Sequence, residues 1–348
     1  MLTERQILIL KSIIRLYTSY ETPIGSKTLM NEAEINFSSA TIRNEMGRLE
    51  ELGFIEKTHS SSGRVPSLKG YRFYVDHLVH PAKIQKKDLA VIKSALGNQF
   101  RQLDEIVFQS AELLSRLTSY TAITLGSEIK ESILTGFRLV PLNDYQVMAI
   151  LVTDKGHVEN QIVTIPRSMD VNELEKIVRI FNEQLVGLPL MEVFKRLKTE
   201  IPILLNKYVR TNEGILNIFE DVFLKAGQDR QDRMHVGGRM NILDFSNELN
   251  VEKFKSIYSL MDGTHDLSSL LVPSTTGINV KIGTELNNEL FNEFSLITAS
   301  YDIEGYSSGV IALLGPTNMP YSKMIGLVDV FRNELSKKII DYYQVVDD

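Results

Sequence analysis

The chain opens with apolar residues at helical spacing. Intervals of three and four residues place them on one face of a helix that is predicted to run from about Thr3 to Tyr20. Thr3 and Gln6 have the spacing of a capping box, in which each side chain accepts the other residue's backbone N–H. A turn at Pro23–Ser26 and a short second helix to about Glu32 are predicted to follow. The stripe of the first helix is Ile7, Leu10, Ile14 and Tyr17.

A third helix is predicted over Ser38–Leu52, with Ser38 or Ser39 as its N-cap. Its outer face combines small residues with a few long donors, as a helix entering the major groove of DNA requires. An ordinary surface helix with a charged outer face has the same pattern. Gly47 inside a helix costs roughly 1 kcal/mol relative to Ala, which close approach to DNA or to a neighbouring helix would explain. The inner stripe is Ile42, Met46 and Leu49, and the outer face is Ala40, Arg43, Asn44 and Gly47, with Arg48 on its flank.

The next segment, Gly53–Pro66, has the pattern of a short hairpin with a small, polar loop. Gly63 is predicted to make the sharp turn at the tip, and Arg64 beside it to enter a minor groove. A helix followed by such a hairpin indicates a winged helix-turn-helix, which usually binds DNA. Short hydroxyl donors suit phosphate oxygens, although Ser-rich loops are more often only solvated turns. The hydroxyls are those of Thr58, Ser60, Ser61 and Ser62, and the basic surface is predicted to extend to Lys69, Tyr71 and Arg72.

Residues 79–90 are polar, contain Pro81 and are predicted to be a linker. A single long helix is predicted from about Asp88 to Tyr120, because apolar residues follow at heptad spacing. Two interpretations of this stripe stay open. In the favoured interpretation the stripe packs on its own domain. In the other it forms the interface of a dimer. The heptad positions are Leu96, Phe100, Leu103, Val107, Leu114 and Leu117.

From Ile133 onward the pattern changes to strands in two groups with flanking helices. This arrangement predicts one α+β sheet domain, interrupted by an insertion at 187–274 that is mostly helical at 192–225 and 251–262. The first group of strands is Leu134–Val140, Gln146–Thr153 and His157–Ile165, followed by a helix at Val171–Leu185. The second group is Ile278–Ile282, Phe294–Ile303 and Ser308–Leu314, followed by a helix at Tyr321–Tyr343.

Composition narrows the class of protein. A length of 348 residues predicts two or three domains, and the absence of cysteine excludes disulfides and Cys-ligated zinc. There is no apolar run of 18 residues and no pattern of a signal peptide, so a soluble, cytoplasmic protein with no membrane partner is expected. Residues 1–75 hold ten Lys and Arg against eight Asp and Glu, a net charge of +2 in a chain of −6. This N-terminal segment, called the head below, is barely basic, which predicts modest affinity for DNA. Two heads on one dimer would raise that affinity.

The sequence offers little for catalysis. Its six histidines are scattered without metal-ligand spacing, and there is neither a P-loop nor a nucleophile elbow. Gly237 and Gly238 are interpreted as a turn because they lack the Lys-Ser/Thr of a phosphate loop. The prediction is therefore no catalytic residue, no metal and no cofactor, with an apolar ligand cavity left open.

Several runs of residues together resemble the HrcA family of heat-inducible transcription repressors. They cover the second and third helices, the wing, the segment after it and two sites in the body, so the resemblance extends over essentially the whole chain. One departure is Glu21, where members of that family often have Gly. The runs are Pro23–Leu29, Ser38–Met46, His59–Pro66, Lys69–Asp76, Val236–Asn241 and Gly315–Ser322.

The resemblance implies an α+β multidomain protein that binds an inverted-repeat CIRCE operator upstream of chaperone genes as a homodimer. It also implies that the GroE chaperonin keeps the repressor active. Arg43 and Asn44 are candidates for base-edge contacts. The other candidate DNA contacts are Ser26, Lys27, Ser39, Thr41, Arg48, Ser60, Ser62 and Arg64. The expected domains are a winged helix-turn-helix (1–78), a linker (79–90), a GAF-like domain (91–186 and 275–348) and an inserted dimerisation domain (187–274).

Two alternatives stay open. One is a winged-helix regulator controlled by a small-molecule effector in the GAF-like domain, which an effector-dependent rise in melting temperature would favour. The other is an enzyme with a DNA-binding head, against which the lack of clustered acids, bases and nucleophiles argues.

Overall fold

The computed structural model describes residues 2–32, 35–58, 63–97, 103–125, 132–154, 158–165, 171–208, 234–245, 251–262, 270–271, 277–303 and 307–347. The α-helices are α1 (Glu4–Tyr20), α2 (Ser26–Glu32), α3 (Ser39–Glu51), α4 (Leu68–His77), α5 (Lys86–Leu96), α6 (Leu103–Thr118), α7 (Val171–Leu185), α8 (Leu190–Tyr208), α9 (Val251–Asp262) and α10 (Tyr321–Asp347). The strands are β1 (Ile55–Lys57), β2 (Arg64–Pro66), β3 (Thr121–Leu125), β4 (Leu134–Asn143), β5 (Gln146–Thr153), β6 (Val158–Thr164), β7 (Met234–Gly237), β8 (Ile278–Ile282), β9 (Phe294–Ile303) and β10 (Ser307–Pro316).

The first helix begins with the predicted capping box. Gln6 N–H donates to Thr3 Oγ1 at 3.3 Å, and Thr3 N–H donates to Gln6 Oε1 at 3.0 Å. The helix ends at Glu21, which has φ 54° and donates its N–H to the Tyr17 carbonyl. A left-handed conformation costs a residue with a Cβ roughly 1–2 kcal/mol, and glycine avoids that cost. Glu21 therefore adopts the left-handed turn conformation at an energetic cost that glycine would not have.

The head is a three-helix core followed by a two-stranded hairpin and α4. The buried face of α1 is centred on Ile9, Leu10 and Ile13, one residue away from the centre of the predicted stripe. β1 and β2 pair antiparallel, with Glu56 opposite Val65. The order of three helices and a wing is the predicted one, because each helix has local apolar periodicity and its own cap. The residues of the head core include Ile9, Leu10, Ile13, Leu29, Ile42, Leu49, Ile55 and Tyr71.

The single long helix predicted after the head is wrong. α5 ends at Leu96 and Gly97 forms a turn, and the second helix, α6, begins at Leu103. Leu96 and Leu114 of the predicted stripe are buried in the core that α10 also enters, and Leu117 packs against it, so these positions pack within the chain, as the favoured interpretation held. The predicted linker is also shorter, because α5 begins at Lys86.

The main sheet of the body has five antiparallel strands in the order β7-β3-β10-β9-β8. β3 pairs with β10 along one edge, which places Leu125 opposite Val310. Along its other edge, β3 pairs with β7. The turn predicted at Gly237 and Gly238 is only partly correct, because Gly237 ends β7 opposite Ala122 and only Gly238, with φ 63°, leaves the strand. α10 covers the sheet with a buried stripe. That stripe includes Met324, Val328, Phe331, Leu335 and Ile339.

β4, β5 and β6 form a separate three-stranded antiparallel sheet. The prediction that both groups of strands belong to one sheet domain is therefore wrong, because β4–β6 do not pair with the main sheet. One face of this sheet, with Phe137 and Leu151 near its centre, packs on α7 and α8. Periodicity identified each strand correctly but carries no information on its partner, which is a long-range property.

The segment that interrupts the main sheet also differs from the prediction. α7 lies before residue 187 and α8 after it, yet both share one core with β4–β6, so the boundary predicted at 186/187 cuts a packed unit. The unit enters after β3, and the main sheet resumes at β7. Part of the helical stretch predicted at 192–225 is present as α8, and residues 209–225 lie outside the described residues. The helix predicted at 251–262 is present as α9.

Head and body share a continuous apolar core. Tyr71 of α4 packs against Tyr321 of α10 with ring centroids 5.9 Å apart. Burial raises the pKa of both hydroxyls, so both side chains stay neutral at physiological pH. α4 is therefore the element of the head that meets the body.

Candidate nucleic-acid interface

α3 has the two faces that its sequence predicts. Ser38 is the N-cap, with its Oγ accepting the Thr41 N–H at 3.1 Å. Ile42, Met46 and Leu49 are buried, whereas Ala40, Arg43 and Asn44 are exposed and Gly47 is partly exposed. The exposed side chains thus lie on the face opposite the core, which leaves Arg43 and Asn44 pointing outward from the head.

A buried carboxylate fixes α3 against α1. Glu45 accepts a hydrogen bond from Gln6 Nε2 at 3.1 Å. Arg5 and Arg48 lie on its other oxygen, with Nη1 atoms at 3.7 and 3.8 Å. Arg48, a candidate contact from the sequence, is therefore partly committed to an ion pair on its own helix. Arg5 also lies over the Phe37 ring, 4.8 Å from its centroid, so the entry into α3 is held in place.

Gly47 has open space on the side where a larger residue would carry its Cβ. A Cβ built on Gly47 meets no heavy atom of the described residues within 4 Å. Close packing against a neighbouring helix, one of the two reasons offered by the sequence, is thus excluded for the described part of the chain. Close approach of an external partner is the reason that remains.

The N-termini of α2 and α3 lie together. Ser26 Oγ and Ser39 Oγ are 3.1 Å apart, and Ser38 Oγ is 2.9 Å from Thr41 Oγ1. The candidate hydroxyls Ser26, Ser39 and Thr41 therefore hydrogen-bond within the head. They remain at its surface, since each is only partly buried.

The start of β2, at the base of the wing, is hydrogen-bonded to the turn before α2. Ile24 and Arg64 exchange two backbone hydrogen bonds of 2.9 Å, which adds a third short extended segment beside β2. Gly63 is buried, and a Cβ there would lie 2.7 Å from Pro23 Cβ. The prediction that Gly63 makes the sharp turn at the tip is wrong, because it lies at the base, where the chain passes close to Pro23.

Arg64 is also not a free cation at the tip. Its Nη2 and Nε lie 2.7 and 2.8 Å from Glu50 Oε2 on α3, and its side chain is 18% exposed. The guanidinium therefore links the wing to α3. Insertion of a freely extended Arg64 into a minor groove does not agree with this geometry.

Basic side chains nonetheless meet between α2, α3 and the wing. A cleft of about 480 Å³ is lined by Gly25, Ser26, Lys27, Arg43, Met46, Lys57 and Arg64. Four of these residues are cations and none is acidic, although Glu50 neutralises Arg64. Lys57 was missed by the sequence analysis, and its register opposite Arg64 on β1 is the signal that identifies it.

Other predicted contacts have different positions. Ser60 and Ser62 lie outside the described residues. Lys69 donates to the Leu52 carbonyl at 2.7 Å, and Tyr71 is buried. Arg72 donates to the body, so the basic surface does not extend along α4 as predicted.

The described residues contain no group of three or more His, Asp or Glu side chains that could hold a metal ion. Within the same part of the chain, no helix is both long and apolar enough to cross a membrane.

Known proteins similar to this chain agree with the geometry of its head. Residues 1–76 match the family model described as the winged helix-turn-helix transcription repressor, HrcA DNA-binding, and residues 104–325 match the model of the HrcA protein C-terminal domain. The chain is 51% identical to the heat-inducible transcription repressor HrcA of Enterococcus faecalis and 46% identical to that of Listeria monocytogenes, over 99% of each chain in both comparisons.

A solved structure of a hypothetical protein has the same overall fold. It is 24% identical, with a TM-score of 0.62 over 98% of this chain and 99% of the other. Two family models and full-length relatives together establish the membership that the head's geometry suggested. The chain belongs to the HrcA family of heat-inducible transcription repressors, with a winged-helix DNA-binding domain at its N-terminus.

Proposed function

We propose that the chain represses chaperone genes by binding an inverted-repeat operator of the CIRCE type as a homodimer. The observation that carries this proposal is the cleft lined by Lys27, Arg43, Lys57 and Arg64. Phosphate neutralisation supplies most of the affinity of proteins for DNA, so a gathering of cations beside an outward-facing helix suits a duplex.

Within this surface, we assign base contacts to the exposed residues of α3. Arg43 can donate two hydrogen bonds to guanine, and Asn44 can pair with adenine, in the major groove. Gly47 would let the helix approach the duplex closely. Lys27 and Lys57 would hold phosphates on either side, while Arg64 contributes charge and keeps the wing in place through Glu50.

A single head is weakly charged for this task. Its net charge of +2 over residues 1–75 predicts modest affinity, and tethering two heads raises affinity strongly when both half-sites are reachable. The proposed dimerisation unit is the insertion formed by β4–β6, α7 and α8. We place the start of this unit at β4 and not at residue 187, because β4–β6 share one apolar core with α7 and α8.

The outer face of the three-stranded sheet supports this role. Met148 of β5 lies between Val140 of β4 and Ile162 of β6, and the latter two are exposed. Val158 of β6 is exposed beside Val152. An apolar patch that runs across three strands is typical of a surface that another protein covers.

We also propose that the GroE chaperonin maintains the active repressor, in the cytoplasm where the operator lies. The body must bring β3 and β10 together across the whole insertion, with Leu125 opposite Val310. Such non-local pairing slows folding and leaves apolar edges exposed, which is the state that chaperonins bind. We further propose that the five-stranded sheet with its flanking helices is a GAF-like domain.

A gel-shift titration tests the central proposal. The full chain should retard a duplex carrying the inverted repeat at a stated salt concentration, and should bind a scrambled duplex much more weakly. Active chaperonin with ATP should raise the fraction of competent protein. Equal binding to both duplexes would refute operator recognition. A small molecule that alone restored binding would favour an effector-controlled regulator.

A further inference from the structure

α4 connects two rigid parts of the molecule through opposite faces. Toward the head, Phe73 packs edge-on against Phe54 with centroids 5.3 Å apart, and a Cβ on Gly70 would lie 2.1 Å from the Phe54 carbonyl oxygen. Toward the body, Tyr71 packs on Tyr321 and Arg72 contacts β8. A rotation of the head therefore requires α4 to leave one of its two partners.

Arg72 has three partners that hold it in one orientation. Its Nη1 and Nη2 both donate to the Val280 carbonyl at 3.1 Å. Its Nε is 3.5 Å from Glu285 Oε1, and Asp76 on its own helix lies 3.7 Å from Nη1. A guanidinium held between α4, β8 and the 3-10 helix at 283–286 fixes the direction as well as the distance between these elements, because its donors are coplanar.

The partners of Arg72 are themselves fixed. Glu285 uses its other oxygen to accept the Ile282 N–H at 2.8 Å, which caps the short 3-10 helix at 283–286. Val280 lies in β8, paired with Ile297 of β9. Tyr321, the partner of Tyr71, is within 2.7 Å of Ser295 Oγ and donates to the Thr317 carbonyl. The partners of Arg72 and Tyr71 are thus held in place by the main sheet and the segments attached to it.

The connection between α4 and α5 adds a second attachment. Ser322 of α10 donates its Oγ to the His80 carbonyl at 2.6 Å and accepts the Ala82 N–H on its own carbonyl at 2.8 Å. A Cβ on Gly326 would lie 2.3 Å from the Ala82 oxygen, so the connection lies directly on α10. The segment predicted to be a linker is therefore seated on the body.

We propose that Arg72 is a positioning residue for operator binding. It sets the direction in which each head presents α3, and thereby the separation of two half-sites that one dimer reaches. This inference rests on the proposed binding of an inverted repeat by a dimer. The competing role, a direct phosphate contact that extends the basic surface, conflicts with the two hydrogen bonds that Arg72 donates to the Val280 carbonyl and with its ion pair to Glu285.

Binding to one and to two half-sites separates these roles. Arg72→Ala should lower affinity for the full inverted repeat by on the order of 10²-fold, since avidity is lost when geometry forbids simultaneous engagement. Affinity for a duplex with a single half-site, and the salt dependence there, should stay at the wild-type level. Glu285→Gln, which keeps both bonds to Val280, should give a smaller loss of the same kind.

Arg332→Ala is the matched control. Arg332 lies on α10 and pairs with Asp329, so the substitution removes the same charge without touching the head. It should bind both duplexes as the wild type does. Equal weakening of single and double half-sites by Arg72→Ala would overturn the proposal in favour of a direct DNA contact.

A distance measurement makes the test independent of DNA. The chain has no cysteine, so two introduced cysteines carry spin labels without background. Lys11→Cys on α1 and Lys337→Cys on α10, both exposed positions, report the distance from head to body in the full chain diluted with unlabelled protein.

The wild-type pair should give one narrow distance, and Arg72→Ala should broaden or shift it while the melting temperature and circular dichroism confirm a folded chain. An unchanged distribution in a folded Arg72→Ala variant would overturn the proposal. If the wild type binds neither duplex specifically, the proposed function fails, and the distance distribution still decides the role of Arg72.

Discussion

Glu50 on α3 and Arg64 on β2 form an ion pair in which Arg64 Nη2 and Nε lie 2.7 and 2.8 Å from the same carboxylate oxygen, Glu50 Oε2. The pair joins the helix proposed to enter the major groove to the wing proposed to lie beside it. Both side chains are partly buried, so solvent weakens the pair less than it weakens a fully exposed one. The two DNA-facing elements are therefore held as one rigid unit.

Substitutions of Glu50 and of Arg64 should change the affinity for scrambled DNA in opposite directions. Arg64→Ala should weaken binding to operator and to scrambled DNA, because it removes a cation and releases the wing. Glu50→Gln should raise affinity for scrambled DNA, since it removes a negative charge, while lowering the ratio of specific to non-specific binding. Titrations of both duplexes at matched salt measure this. A ratio unchanged by Glu50→Gln would mean that the pair has no positioning role.

Arg43 should be required for sequence recognition. Arg43→Ala is expected to lose about 1–3 kcal/mol of specific binding, with no change in the stability of the head, because the side chain lies outside the core. Arg116→Ala, an exposed arginine on α6 of the body, removes the same charge and should keep operator affinity. Operator affinity equal to the wild type in Arg43→Ala would show that another face of the head binds DNA.

Gly47 and Gly70 should respond in opposite ways to the same substitution. Gly47→Ala should stabilise the head by roughly 1 kcal/mol, because alanine favours the helix and no described atom obstructs its Cβ. It should nevertheless reduce operator affinity if DNA approaches there. Gly70→Ala should destabilise the head by about 1–3 kcal/mol, because its Cβ would overlap the Phe54 carbonyl. Urea unfolding and gel-shift titration of both variants provide the comparison, and a Gly47→Ala variant with full operator affinity would argue against close approach of DNA.

The outer face of β4–β6 should control association. Ile162 is 54% exposed on that face, and Ile162→Lys should shift the chain from dimer toward monomer in sedimentation experiments by placing a charge in the proposed interface. Ile203 on α8 is 62% exposed, so Ile203→Lys is a control of the same chemistry. Should Ile203→Lys dissociate the dimer and Ile162→Lys leave it intact, the helical side of the insertion would be the interface instead.

Refolding should be limited by the main sheet. The segments 134–140 and 147–152 pair with one another in a local hairpin, so they do not depend on distant partners. β3 and β10 are the strands that must meet across the insertion. The full chain, diluted from urea, should regain operator binding poorly unless chaperonin and ATP are present, whereas a fragment of residues 1–78 should refold alone, with weaker binding. Complete spontaneous refolding of the full chain above growth temperature would contradict the proposed chaperonin dependence.

The sequence alone determined the local elements of this protein. Caps, apolar periodicity and turn residues act within about one helical turn or one strand, and they specified the three helices of the head, the hairpin, strands β4–β6 and β8–β10 and the outward face of Arg43 and Asn44. The sequence analysis did not predict β3 and β7. Tertiary structure alone decided which strands pair, where the insertion begins, that Arg64 is tied to Glu50, and that Arg72 and the segment after it attach to the body. Periodicity shows that a face is buried but not what covers it, because that depends on contacts between residues as distant as Arg72 and Val280.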